Sequence, residues 1–293
     1  MYGIAMASVG MLSILCMSFT LNVFGPISDN AKGIMSLCKH DDKQAIERGL
    51  VLCSAGNSMG ASSTGFSIGV SILSALSMFG AVITRANLKL VDILHPLEFA
   101  GLIIGAMIPF AFSALTMKSV CSAAKEMKAE VDLQLKEKEK SENKEPDYNK
   151  CIVLSTRASL KEMLYPGFLA IITPFVAGIL FGPRAVCGIL AGAIVSGAQM
   201  SISFSITGES WDNAKKLIEQ IRGEKQKLKK MSFNDDKLDA ARVGDTVGDP
   251  MKGISGPAIN ILITLMTTIA LIFTEFFMRT AFLARYMPKY SMI

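Results

Sequence analysis

The sequence returns repeatedly to long apolar stretches that carry almost no charge, and the last of them, Ile259 to Phe273, carries none. A bilayer core takes about 20 apolar residues per helical span. It offers the backbone no water, so each stretch must satisfy its own N–H and C=O groups by closing into a helix. The stretches predict spans over Met1 to Phe24, Ser54 to about Thr84, Leu97 to Met117, Gly167 to Phe181, Val186 to Ile206 and Pro257 to Phe277. The expected fold class is therefore all-α, a multi-pass transmembrane bundle of about six helices. Composition agrees, since 51% hydrophobic residues and a mean hydropathy of +0.41 are too apolar for an ordinary soluble domain. The first 31 residues contain no Lys or Arg, so the basic start of a signal peptide is missing and Met1 to Phe24 reads as a membrane helix. Pro26 is expected to interrupt the backbone ladder after this span, and Pro174 to bend or weaken the fourth.

Charge is distributed unevenly between the connections. The regions after the first, third and fifth spans, about 32–46, 118–160 and 209–245, hold most of the Lys and Arg, whereas those after the second and fourth hold Arg85, Lys89 and Arg184. The positive-inside rule places the first set in the cytosol, with the loops around Glu137 and Lys225 there and Arg184 and Ile293 opposite. The lysine-rich and glutamate-rich region Lys118 to Lys150, with a break at Pro146, reads as solvated helix or linker, and Arg222 to Arg242 as a basic loop with a short helix. The net charge of +5 lies in these loops rather than on one surface, which argues against a nucleic-acid partner. Six cysteines without a CxxC pair, and two distant histidines, His40 and His95, provide neither a zinc or haem ligand set nor a disulfide framework.

One stretch invites chemistry. Asp245, Asp249 and Lys252 in VGDTVGDPMKGISGPAIN are spaced i, i+4, i+7, which on a helix confines them to about 60° of arc with Gly256 between them. They stand at the mouth of a membrane helix, where ionisable groups are costly and usually functional. Two carboxylates suited to Mg²⁺, an ammonium for an anionic oxygen and a glycine suggest a phosphate-type substrate. The same spacing also fits a solvated helix start of no consequence. A second acid-plus-lysine helix end, Asp212, Lys215 and Lys216 in GESWDNAKKLIE, precedes it, and Asp29 lies after the first span. All fall on the cytosolic side, the convergence that an anion-plus-Mg²⁺ site requires. The small-residue segment SAGNSMGASSTGFSIG, Ser54 to Gly69, favours close helix packing over ligand binding, as do Gly188, Gly192 and Gly197.

In order and at roughly the family's spacing, GPISDNAKGI, SAGNSMGASSTGFSIG, MIPFAFSALTMKSV, PDYNKCIVLSTRASLKEM, GESWDNAKKLIE and VGDTVGDPMKGISGPAINILI resemble the membrane-integral ion-pumping pyrophosphatases. The resemblance covers nearly the whole chain and implies that residues 1–293 are the C-terminal membrane portion of such a pump. Members have about sixteen helices, work as homodimers, and hydrolyse pyrophosphate while driving H⁺ or Na⁺ out of the cytosol, across a vacuolar, acidic-organelle or plasma membrane. The family's acidic DVGADLVGK run, from its earlier half, is absent from these residues. The resemblance further implies that Asp29, Asp212, Asp245 and Asp249 hold Mg²⁺, that Lys215, Lys252 and Asn57 contact pyrophosphate, and that Asn260 and Thr264 lie at the ion gate. Departures from the pattern fall at Gly253, where the family has one of two water-activating aspartates, at Lys32, at Cys53 in place of an acid, and at Thr264 in place of a lysine. Gly60 matches the position whose lysine removes a K⁺ requirement, which implies a K⁺-stimulated type. The competing expectation is a catalytically degenerate paralogue or non-catalytic membrane subunit, with a generic transporter bundle third.

Overall fold

The structure, a computed structural model, describes residues 1–37, 43–140, 147–227 and 235–283. Cys38, Lys39, His40, Asp41, Asp42, Pro146, Arg285, Lys289 and Ile293 lie outside these. Every regular element among the described residues is helical: α1 (Tyr2–Leu12), α2 (Leu15–Leu37), α3 (Lys43–Arg85), α4 (Pro96–Lys140), α5 (Tyr148–Glu162), α6 (Leu164–Phe181), α7 (Pro183–Lys227), α8 (Asp235–Pro250), a π turn (Met251–Ser255) and α9 (Gly256–Thr280). Five described helices are long and apolar enough to cross a membrane, or six if the bent pair α1–α2 is counted as one span. The chain is thus an all-α, multi-pass membrane protein, as the hydropathy pattern predicts.

The break in the first span is not at Pro26. That residue sits inside α2, and the 55° bend falls at Ser13 and Ile14 between α1 and α2. A proline removes one backbone donor, and a long helix packed along a neighbour tolerates that loss. Here α2 lies along α3, with Ser18 Oγ 2.9 Å from Ser63 Oγ. A Cβ on Gly25 would come within 3.1 Å of the Gly56 carbonyl oxygen, so the small residues of Ser54 to Gly69 do serve packing.

Of the two forms open to the lysine-rich and glutamate-rich region, helix is the one found, and the basic region after the fifth span holds more helix than expected. The third span continues through Lys118 to Lys140, and α5 folds back beside it, with Lys150 Nζ 2.9 Å from Glu130 Oε1. The fifth continues to Lys227, and α8 begins at Asp235, so most of Arg222 to Arg242 is also helical. Pro174 sits inside α6 without ending it, and Gly182, at φ +82°, makes the turn into α7 in a conformation that favours glycine.

Helix α7 is the centre of the bundle, with two-thirds of its most apolar stretch buried. It crosses α4 through two reciprocal GxxxG pairs, Gly101 and Gly105 against Gly188 and Gly192. A Cβ on Gly105 would overlap the Ile189 carbonyl oxygen, and one on Gly188 that of Glu98. In lipid, where apolar surface alone does not drive helices together, such backbone proximity supplies the attraction. The core joins α3, α4, α6, α7 and α9 around Leu190, Ile259, Met266 and Phe277, with Phe175 and Phe273 centroids 4.5 Å apart. The charged extensions of α2, α3, α4, α7 and α8 gather at one end of this bundle. Arg85, paired with Glu275 at 3.1 Å, and Arg184, paired with buried Glu98 at 3.4 Å, lie at the other.

Candidate functional site

The charged end is assembled by close crossing of α7 and α8. A Cβ on Gly208 would lie 2.5 Å from both the Gly248 carbonyl oxygen and Lys252 Cβ, and Gly244 lies against the Trp211 ring. These glycines bring the WDNAKK segment onto the GDTVGDPMK segment. Polar groups from four helices then line a cavity of about 490 Å³: Asp29 of α2, Asn57 and Gly60 of α3, Asp212 of α7, Asp249 of α8, and Lys252 and Gly253 of the π turn. Asn260, in the first turns of α9, lines its inner end, so the charged space reaches the apolar part of the bundle.

The site residues expected from the sequence divide into two groups. Asp29, Asn57, Asp212, Asp249, Lys252 and Asn260 share the cavity wall; Asp245, Lys215 and Thr264 do not. Asp245 is buried and turned to Lys215, whose ammonium lies 2.6 Å from its Oδ2. Asp245 and Asp249 keep their i, i+4 relation within α8, and only Lys252 follows the change of helix type. Residues 251–255 form a π turn, whose extra residue rotates everything after Pro250 relative to an ideal α-helix. Gly256 packs against Ser205 and the Met251 carbonyl rather than facing the cavity.

The π turn is anchored on two sides. Ser255 Oγ lies 2.8 Å from Ser113 Oγ and 3.3 Å from Thr116 Oγ1 of α4, while Ser201 Oγ of α7 lies 2.9 Å from the Gly256 carbonyl and from Asn260 Oδ1. Among the described residues the Thr264 hydroxyl, by contrast, bonds only its own helix, donating to the Asn260 and Ile261 carbonyls at 3.0 Å.

Electrostatically the site is a set of carboxylates and ammoniums at close quarters. Asp212 Oδ2 takes Lys216 at 2.8 Å and Lys252 at 3.4 Å, and Lys252 also meets Glu209 Oε2 at 2.5 Å. Asp29 Oδ1 accepts from the Cys53 thiol at 3.0 Å, a weak donor beside the carboxylate. Among the described residues no ion pair or side-chain hydrogen bond reaches the Asp249 carboxylate. Glu209 was not singled out from the sequence, where an acid three residues before Asp212 looks like one more solvated charge.

Among the described residues no three His, Cys, Asp or Glu side chains approach closely enough to cage a metal. The donor set still fits Mg²⁺, which uses only hard oxygens and commonly takes one or two carboxylates while phosphate oxygens and water complete its octahedron. Asp29, Asp212 and Asp249 line one cavity, and Asp249 has no competing cation in contact.

Fold and site together define a polytopic α-helical membrane protein with an acid-and-lysine cavity opening at one end of its bundle. The inorganic H⁺ pyrophosphatase family matches residues 1–273, and the chain belongs to that family. It is 46% identical over 93% of its length to a Clostridium tetani protein provisionally named a K⁺-stimulated pyrophosphate-energized sodium pump, covering 40% of that protein. It is 38% identical over 97% of its length to the K⁺-insensitive pyrophosphate-energized proton pump of Methanosarcina mazei, covering 42% of it. Against pyrophosphate-energized membrane proton pump 3 of Arabidopsis thaliana the figures are 35% identity, 95% of this chain and 36% of the relative. The chain thus spans about two fifths of the length of the curated relatives it matches.

Proposed function

We propose that this chain is the C-terminal membrane portion of a pyrophosphate-energized H⁺ or Na⁺ pump, working as a homodimer, and that it holds Mg-pyrophosphate at its cytosolic helix ends. The observation that carries this reading is the single cavity in which Asp29, Asn57, Asp212, Asp249 and Lys252 meet, with Asn260 at its membrane end. Asp29, Asp212 and Asp249 hold Mg²⁺, and Lys252, once released from its carboxylates, meets phosphate oxygens. Mg²⁺ supplies neutralisation of the phosphate charge and a bound water of lowered pKa. Lys215, held by Asp245, stabilises the α7–α8 crossing and lies one residue layer behind the cavity. Gly60 leaves room on the α3 wall for K⁺, in keeping with a K⁺-stimulated type. Asn260 and Thr264, one helical turn apart on α9, mark where the site meets the ion path.

The second reading, a catalytically degenerate relative, draws on one observation: at the cavity wall beside Lys252 stands Gly253, which brings no side chain to act as a base.

The test of binding is protease protection. Mg²⁺ with a non-hydrolysable pyrophosphate analogue is expected to protect Trp211 to Lys252 in the membrane-embedded protein, and Asp249→Asn to abolish that protection, because a neutral amide is a far weaker Mg²⁺ ligand than a carboxylate. Equal protection in the variant removes Asp249 from the metal site. Absence of protection in the unaltered protein removes the pyrophosphate reading itself.

A further inference from the structure

Lys252 stands between two cavities. The first is the site just described; the second, of about 430 Å³, lies between α3 and α7 and is lined by Thr64, Ile202, Ser205, Glu209 and Asn213. Glu209 belongs to the second alone, yet it makes the shortest ion pair of the site: its Oε2, a buried atom without a hydrogen-bond partner, lies 2.5 Å from Lys252 Nζ. The Asp212 oxygen on the other side is 3.4 Å away and is already bonded by Lys216 at 2.8 Å. The ammonium is therefore held principally by Glu209, on the wall away from Asp29 and Asp249.

We propose that Glu209 is a positioning residue that competes with the anion for Lys252, a tether from which phosphate oxygens must take the ammonium. This rests on the pyrophosphate reading for the identity of the anion. Both partners are about three-quarters buried, at 21% and 26% side-chain exposure, and the ion pair is screened less by water and salt there than at a fully exposed site. Its loss on binding is subtracted from the affinity. Its return when the bound anion leaves assists release. The tether thus weakens both pyrophosphate and orthophosphate, and it keeps Lys252 ordered in the empty site, because an unpaired ammonium there would carry its full desolvation cost.

The consequence has an unusual sign: removing a charged residue of the site strengthens ligand binding. Glu209→Gln retains shape and a neutral acceptor, and is expected to tighten binding of Mg-pyrophosphate by roughly threefold to tenfold, the range for a partly exposed ion pair. Trp211, the only tryptophan of the chain, packs on Gly244 beside Asp212 and supplies the fluorescence signal for the titration. In a Lys252→Gln background the gain should vanish; a gain that persists there comes from the general loss of negative charge and overturns the tether. Unchanged or weaker binding by Glu209→Gln with Lys252 intact overturns it as well. A second measurement needs no pyrophosphate. Acetic anhydride labelling of the ligand-free protein, read by mass spectrometry, should modify Lys252 at least about threefold faster in both Glu209→Gln and Glu209→Ala; equal rates overturn the tether. If pyrophosphate binds neither the unaltered protein nor the variants, the substrate reading fails, and the labelling still decides the Glu209–Lys252 pair.

Discussion

Under the proposed reading, Gly253→Asp places a carboxylate at the cavity-wall position where the resemblance implies an acid. The structure sets the steric cost. A Cβ built on Gly253 meets no atom within 4 Å, and its φ is not in the left-handed region, so an aspartate enters open space beside Lys252. In a helix interior Gly and Asp differ by only a few tenths of a kcal/mol in propensity, so the folded population should be unchanged. General-base help is worth about 10²- to 10⁴-fold in rate, or about 2.7 to 5.4 kcal/mol of barrier, an order of magnitude more than the propensity term. Phosphate release from Mg-pyrophosphate, measured on the intact protein in sealed membranes, should therefore rise by that factor. Gly253→Asn, which has the same shape and no basic oxygen, should give no increase. A starting protein whose turnover Gly253→Asp does not improve obtains its base elsewhere, and the assignment of Gly253 as the lesion is then wrong; an equal rise with Asn refutes the base chemistry.

Two further outcomes concern folding and orientation. Gly105→Ala should destabilise the α4–α7 crossing by about 1–3 kcal/mol, the usual cost of overpacking, because the added Cβ overlaps the Ile189 carbonyl oxygen rather than a flexible side chain; an unchanged melting temperature in detergent counts against the glycine-mediated crossing. The lysine asymmetry predicts that a cysteine introduced at position 225 of sealed vesicles reacts with impermeant reagent from the cytosolic side only, and one at 184 from the opposite side only; labelling of position 225 from outside the cytosol reverses the topology.

Much of this architecture was legible from local patterns. Apolar runs such as Ile259 to Phe273 specify spans because lipid leaves the backbone no alternative to a helix. The i, i+4, i+7 spacing of charges at a span's mouth likewise points to the end of the bundle where the cavity lies, and the family resemblance rests on those same segments. Pattern reading failed where a choice depended on a neighbour. Pro26 looked like a break, but α2 continues through it against α3 while the bend falls at Ser13 and Ile14, which carry no strong local signal. The stretch after the third span, open to helix or linker from its sequence, is helix through Lys140, and the one after the fifth is more helical than expected among the described residues, because charged faces do not distinguish a solvated helix from a solvated coil.

Tertiary structure alone decided which charges meet. An ideal helix aligns Asp245 with Asp249 and Lys252; the first two keep that relation within α8, but the π turn, held by Ser113 and Thr116 through Ser255, changes the register from Met251 onward. The crossing with α7 gives Asp245 to Lys215, and Lys252 to Glu209 and Asp212. These partners lie 30 to 43 positions apart along the chain and become neighbours only because Gly208 and Gly248 let α7 and α8 approach to backbone contact. A pairing made by helix crossing depends on small residues on two different helices at once, and the periodicity of either helix alone does not contain it.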